Sequence, residues 1–320
     1  MGTDPFDLAR AEAMLMGYDA RWAAEMAEWE VVFVEAEFRA PLVNPETGAP
    51  SRTWQRGGKI DAGRVHRVRG EKQIVEHKHS TEDIGPGSVY WRRLQMDGQV
   101  SGYFVGADAL GFKAEACLYD VLGKPKLRPY EPGRKRLEPE KPEAFRERCI
   151  EAIAAAPSTY YQRGEVVRLE AEAAEALFDD WQTAAQMREA QRAGRFPRNP
   201  DACFKWNRAC AFFDVCTGQA SIDDPIRFQR SEHVHPELEA RGGLPVISAS
   251  RLKAARSCQR LHRFHYLDGI RPVEDAETLR FGSLIHRALE AWWRAADGER
   301  LEAALSALRP AAPAVMSAAV

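Results

Sequence analysis

Apolar and polar positions recur with two different periods along this chain. Between residues 4 and 30, Ala, Leu, Met and Trp return among charges at helical spacing, which predicts one or two amphipathic helices. Val31 to Phe38 is rich in β-branched and aromatic side chains and predicts a strand. Asn44 to Ser51 reads as a turn, Trp54 to Val68 as a strand pair broken near Gly63, and Gln73 to His79 as a short strand. Helical periodicity returns over 88–110, followed by a strand from Lys113 to Leu122. Residues 123–142, rich in Pro, Lys, Arg and Glu, read as a loop, and helices are expected over 143–155 and 168–194. Residues 195–220 are loop-like and hold three cysteines, and 236–247, with Pro236, Gly242, Gly243 and Pro245, look like a linker. Ser248 is placed to cap a helix running through Leu267. Phe281 to Arg294 forms another, and the Ala-rich 301–320 read as a helix fraying into a tail.

Composition narrows the class without naming a partner. The 320 residues suit one large domain or two ordinary ones, and 45% apolar with 29% charged is a globular balance. The 45 basic and 47 acidic residues nearly cancel, so any nucleic-acid contact rests on a local patch. No run approaches the roughly 18 apolar residues of a membrane helix, and Met1 to Glu12 lacks a secretory pattern. A cytoplasmic protein with no membrane partner is expected. Six cysteines in that setting suit free thiols or metal ligands rather than disulfides.

The chemistry-bearing signal lies between Gly58 and Lys78. Residues two apart on a strand face one side, so Glu76 and Lys78 point together and His77 points away. If the two strands pair as a hairpin, Asp61 lies beside Glu76. Two close carboxylates repel unless a cation separates them, and hard oxygen ligands favour Mg²⁺ or Mn²⁺. Such a metal activates water and neutralises a phosphate, while Lys78 orients the water or stabilises developing charge. The bland alternative is a solvated hairpin with ordinary surface charges. Gln99 and Tyr103, four apart on a predicted helix, share a face, as do Gly282 and His286 on another.

Together these segments resemble the RecB-like exonuclease branch of the PD-(D/E)XK nuclease superfamily. Gly58-Lys59-Ile60-Asp61 resembles its Gly-x-x-Asp motif and Glu76-His77-Lys78 its Glu-x-Lys motif. Gln99 to Tyr103 resembles Gln-x-x-x-Tyr, and Gly282 to His286 resembles Gly-x-x-x-His. The resemblance implies an α/β fold with a central mixed sheet flanked by helices. It also implies a metal held by His286, Asp61, Glu76 and the His77 carbonyl, with Gln99 and Tyr103 positioning the strand.

Cys203, Cys210 and Cys216 are separated by six and five intervening residues, with Cys258 as a fourth candidate ligand. Buried thiols and zinc are the alternatives. The set resembles AddB-type and CRISPR-associated iron–sulfur nucleases, which implies a 4Fe–4S cluster stapling a helical lobe. Cys117 and Cys149 are assigned to packing.

In that family the helix bearing Gly-x-x-x-His and the lone cysteine precede the Asp and Glu-x-Lys strands. Here they follow. A circular permutation accounts for this: 1–235 is the nuclease core with its three cysteines, 236–247 the linker, and 248–320 the helical segment completing the same domain. A truncated nuclease followed by the start of another is the competing explanation. Permutation requires His286 beside Asp61 and Cys258 beside Cys203.

Residues 246–296 hold nine Arg or Lys against five Asp or Glu. Arg251, Lys253, Arg256, Arg260 and Arg263 recur along one predicted helix and suit phosphate contacts. No feature reads base sequence, so strand or end recognition is expected. The reading is a metal-dependent DNA exonuclease on single-stranded or frayed DNA, in recombination, repair or phage DNA processing, with a helicase or recombination partner. The alternative is a cleavage-deficient DNA-binding module of the same fold.

Overall fold

The computed structural model describes residues 4–132, 138–205, 208–235, 238, 243–273 and 277–309, with Glu277 and Thr278 by backbone alone. Residues 236–237 and 239–242 of the expected linker, 133–137 of the expected loop and 310–320 of the expected tail lie outside the described residues.

Helix α1 (Pro5–Trp22) opens on Asp4, whose carboxylate accepts from the Phe6 N–H. A 3₁₀ turn leads into β1 (Trp29–Val43), β2 (Pro50–His66) and β3 (Lys72–Ser80), an antiparallel meander. Then come α2 (Val89–Leu94), α3 (Gly98–Ala109), β4 (Ala116–Gly123), α4 (Pro142–Ala155), α5 (Pro157–Tyr160), β5 (Tyr161–Val166) and α6 (Glu170–Ala193). A lobe of short pieces follows: β6 (Phe204–Lys205), β7 (Arg208–Ala209), α7 (Phe213–Thr217) and β8 (Phe228–Arg230). The chain continues through β9 (Val246–Ile247), α8 (Ala249–Ser257), α9 (Gln259–His262), β10 (Ile270–Pro272), α10 (Glu277–Arg294) and α11 (Arg300–Leu308).

The central sheet runs β1-β2-β3-β4-β5, with β3 and β4 parallel and the other neighbours antiparallel. It is the mixed sheet flanked by helices that the sequence implied. One face packs under α1, α4, α10 and α11 around Leu15, Phe145, Trp292 and Trp293. The other packs under α3, where Ile60, Ile74 and Tyr119 meet Val100 and Tyr103. Among the described residues, no helix is long and apolar enough to cross a membrane.

Several local expectations change. The supposed break near Gly63 is absent, and β2 is one 17-residue strand. Gly63 is needed for packing, because a Cβ there would lie 2.3 Å from the Phe33 ring. The 88–110 helix is two helices, because Asp97 caps the second by accepting from the Gln99 N–H at 2.8 Å. The 248–267 helix stops at Ser257, because Cys258 is extended (φ −165°, ψ 121°). The linker ends in a strand: Val246 and Ile247 pair in parallel with Gln55 and Arg56 of β2. Strand β5 went unpredicted because its apolar alternation is broken by Arg163, which is buried against Asp120 at 2.9 Å.

Candidate active site

The site forms where β2 and β3 part. Their ladder ends at Ala62↔Val75. One residue further, the Asp61 carboxylate accepts the His77 N–H at 2.8 Å in place of a backbone pair. Farther along the same edge, β9 covers Gln55 and Arg56. The stretch left open between them borders a cleft of about 1010 Å³ lined by Asp61, Glu76, Lys78, Gln99, Tyr103 and His286, among others.

Strand pleating places Glu76 and Lys78 together, and they form an ion pair in the cleft. His77 points to the opposite face, against the Trp293 ring and 3.5 Å from Asp120. On α3, one helical turn sets Gln99 above Tyr103. Gln99 Nε2 donates to Glu76 Oε1 at 3.2 Å and also bonds the Tyr103 hydroxyl. On α10, Gly282 lets the helix approach β3 closely: a Cβ there would lie 2.6 Å from the His79 ring. One turn later His286 Nδ1 stands 3.7 Å from Asp61 Oδ2. Residues 225 positions apart (286 less 61) thus meet, and all five residues assigned to the catalytic set border one cleft with His286.

One site residue escaped the sequence reading. Glu35 of β1 lies opposite Asp61, between the pairs Val34↔Ala62 and Ala36↔Ile60. Among the described residues it is the only non-glycine with positive φ, at 55°. That conformation costs about 1–3 kcal/mol. Ligand atoms of Glu35, Asp61 and His286 all lie within 4.8 Å of one another. The available signal was an acid that ends the apolar run Val31 to Val34.

The electrostatics suit a cation. Burial, then the neighbouring Glu76, pushes the Asp61 carboxyl well above its ordinary value. Burial opposes the Lys78 charge, but Glu76 and Asp61 outweigh it and raise its pKa. Burial, then nearby positive groups, lowers His286 to about 3, so its imidazole is neutral at pH 7. Glu76 is 1% exposed, and its Oε2 has no hydrogen-bond partner. Carboxylate oxygens with a neutral imidazole are the donors a hard divalent metal takes.

The expected basic stripe is differently disposed. Arg251 is 4% exposed and donates to His262 and the Val246 carbonyl, because its position on α8 faces inward. Arg256 pairs with buried Asp180 at 2.7 Å, Arg260 donates to the Phe196 carbonyl, and Arg263 pairs with Asp268. These four are engaged within the protein, and Lys253 is exposed on the cleft wall. Arg56, also on that wall, pairs with Asp180 as well.

Cys203, Cys210, Cys216 and Cys258 line one small cavity with Phe212, Leu261 and Phe264. None of the four is in a disulfide. The antiparallel pairing of β8 with β10 ties the two cysteine-bearing segments together. Burial pushes the Cys210 and Cys216 thiols up, and the neighbouring cysteines add to the rise. Cys117 and Cys149 are fully buried in the core, as their assignment to packing required.

A model of the PD-(D/E)XK nuclease superfamily matches residues 6–217 and 246–319. No curated protein matches the chain. A solved structure titled "Crystal structure of SSO0001" is 18% identical over 44% of this chain, with a TM-score of 0.22. The alignment spans 56% of that structure's length, and so partial a likeness carries no argument.

Proposed function

Because the chain belongs to the PD-(D/E)XK nuclease superfamily, we propose that it is a Mg²⁺- or Mn²⁺-dependent exonuclease acting on single-stranded or frayed DNA in recombination, repair or phage DNA processing. The observation carrying this reading is the convergence of Asp61, Glu76, Lys78, Gln99, Tyr103 and His286 on one cleft. Asp61, Glu76, the neutral His286 and the His77 carbonyl are the residues that would hold the cation. A divalent cation bound there supplies a Lewis acid for the phosphate and a water of lowered pKa.

The protein's own groups do the rest. Asp61 fixes the start of the Glu76 segment through the His77 N–H. Gln99 orients the Glu76 carboxylate, and Tyr103 holds Gln99. The Lys78 ammonium stays charged beside Glu76 and is positioned to stabilise charge developing on a phosphate. Exposed Lys253 and Arg287, also on the cleft wall, offer phosphate contacts without reading bases.

In this reading residues 248–320 are the permuted N-terminal part of one nuclease domain. The contact of His286 with Asp61, and the cavity Cys258 shares with Cys203, support it. The four cysteines would hold a 4Fe–4S cluster as a structural staple, the role that four thiolates around one cavity suit. Anaerobic purification should then give brown protein with a broad visible band, lost in Cys258→Ser. Colourless protein carrying zinc would reject the cluster.

Nuclease assays with Mn²⁺ on single-stranded and blunt duplex DNA test the main claim. Metal-dependent release of nucleotides is expected, falling by about 100-fold or more in Asp61→Asn and in Lys78→Ala. Inactive wild-type protein, or variants as active as it, would refute the assignment. Retention of DNA without hydrolysis would favour the cleavage-deficient alternative.

A further inference from the structure

We propose that Glu35 is a further ligand of the divalent cation, reaching it from β1 opposite Asp61. This rests on the metal-centre reading above and adds a residue that reading does not use. The motif residues come from β2, β3, α3 and α10; β1 contributes none.

The geometry brackets Glu35 and Asp61 between the same two ladder pairs, Val34↔Ala62 and Ala36↔Ile60. The Glu35 carboxylate, that of Asp61 and the imidazole of His286 are mutually within 4.8 Å, close enough to share one ion. The backbone at Glu35 is left-handed, while the ladder keeps its register on either side at Val34↔Ala62 and Ala36↔Ile60. Lys59 Nζ lies 2.6 Å from Glu35 Oε2, which holds the side chain at the cleft rim. That pair engages one carboxylate oxygen and leaves Oε1 for a second partner.

Charge counting and burial point the same way. Glu35, Asp61 and Glu76 are three carboxylates on one cleft wall, faced there by the ammoniums of Lys59 and Lys78. Glu290 of α10 also lines this wall and adds to the negative field at Lys59. The buried Glu76 Oε2 has no protein partner in the same cleft. Three acids faced by two lysines leave a negative excess at this end of the cleft that a bound cation would offset. Glu35 would complete the ligand set on the side away from Glu76, with Lys59 competing with the cation for its carboxylate.

The test is Mn²⁺ affinity of the full chain, read by electron paramagnetic resonance of free Mn²⁺ and by calorimetry. Wild type should bind, and Asp61→Asn should lose binding. Glu35→Gln should weaken binding by about tenfold or more. Lys59→Gln, which releases Glu35 from its ion pair, should tighten binding by about threefold or more. Wild-type protein that binds no Mn²⁺ overturns the metal centre itself and this proposal with it. Binding lost in Asp61→Asn yet within about twofold of wild type in Glu35→Gln overturns the proposal alone. If Glu35→Gln fails to fold by circular dichroism, Lys59→Gln decides, and unchanged or weaker Mn²⁺ binding overturns it.

Discussion

Removing the Asp180 carboxylate should be costly, and removing its partner at the same time should undo most of the cost. Asp180 of α6 is 1% exposed and pairs with Arg56 of β2 and Arg256 of α8. Arg56 also donates to the Gly98 carbonyl at the start of α3, and Arg256 to Thr183. The network therefore ties four elements around the cleft. Burial lowers the Arg56 pKa and raises that of Asp180, and mutual attraction does not reverse either shift. Each charge is disfavoured by burial more than its partner stabilises it, so the pair adds little net stability. Asp180→Ala strands the Arg56 guanidinium, whose side chain is 5% exposed, and should cost about 3–5 kcal/mol. Arg56→Met should cost less, about 2 kcal/mol, because Arg256 is 40% exposed and stays with Asp180. Arg56→Met with Asp180→Leu leaves no buried charge and should fall within about 1 kcal/mol of wild type. Urea denaturation of the four proteins under identical metal conditions gives the coupling energy. Additive costs, or an Asp180→Ala protein within about 1 kcal/mol of wild type, would refute the argument.

Gly282→Ala should destabilise by about 1–3 kcal/mol, since its methyl meets the His79 ring, although alanine is the better helix former. A gain in melting temperature would show that α10 does not need this close approach. Burial, then Arg251, lowers His262 from its ordinary 6.5 to about 4, so the unfolded chain binds the extra proton between those values. Its contribution is complete above pH 6.5 and drains away toward pH 4 at about 1.4 kcal/mol per pH unit. Denaturation midpoints of wild type and His262→Gln across that range should converge as pH falls; parallel curves would refute this. Gln99→Leu removes the donor to Glu76 and should lower kcat about tenfold, with less effect on DNA binding by fluorescence anisotropy. A loss confined to binding would place Gln99 on the DNA instead.

Parts of the site were legible because they depend on spacing within one element. Glu76 and Lys78 share a side because a strand repeats every two residues, and Gln99 and Tyr103 because a helix turns in about four. The burial of Cys117 and Cys149 and the cap at Ser248 were legible on the same local grounds, whereas the mixed sheet was implied by the family resemblance. Arg251 was misjudged because its burial depends on His262 and the Val246 carbonyl, partners outside α8's own pattern. Gly63 was misread because glycine looks alike in sequence whether it makes a turn or makes room for Phe33.

By itself, the sequence determined which residue types share a face and which chemistry they suit, since backbone periodicity is local. Only the tertiary structure decided that β2 and β3 part at Asp61, that α10 reaches β3 through Gly282 to bring in His286, and that Glu35 stands opposite Asp61. Those meetings come from packing between elements far apart along the chain, and no periodicity within an element encodes them.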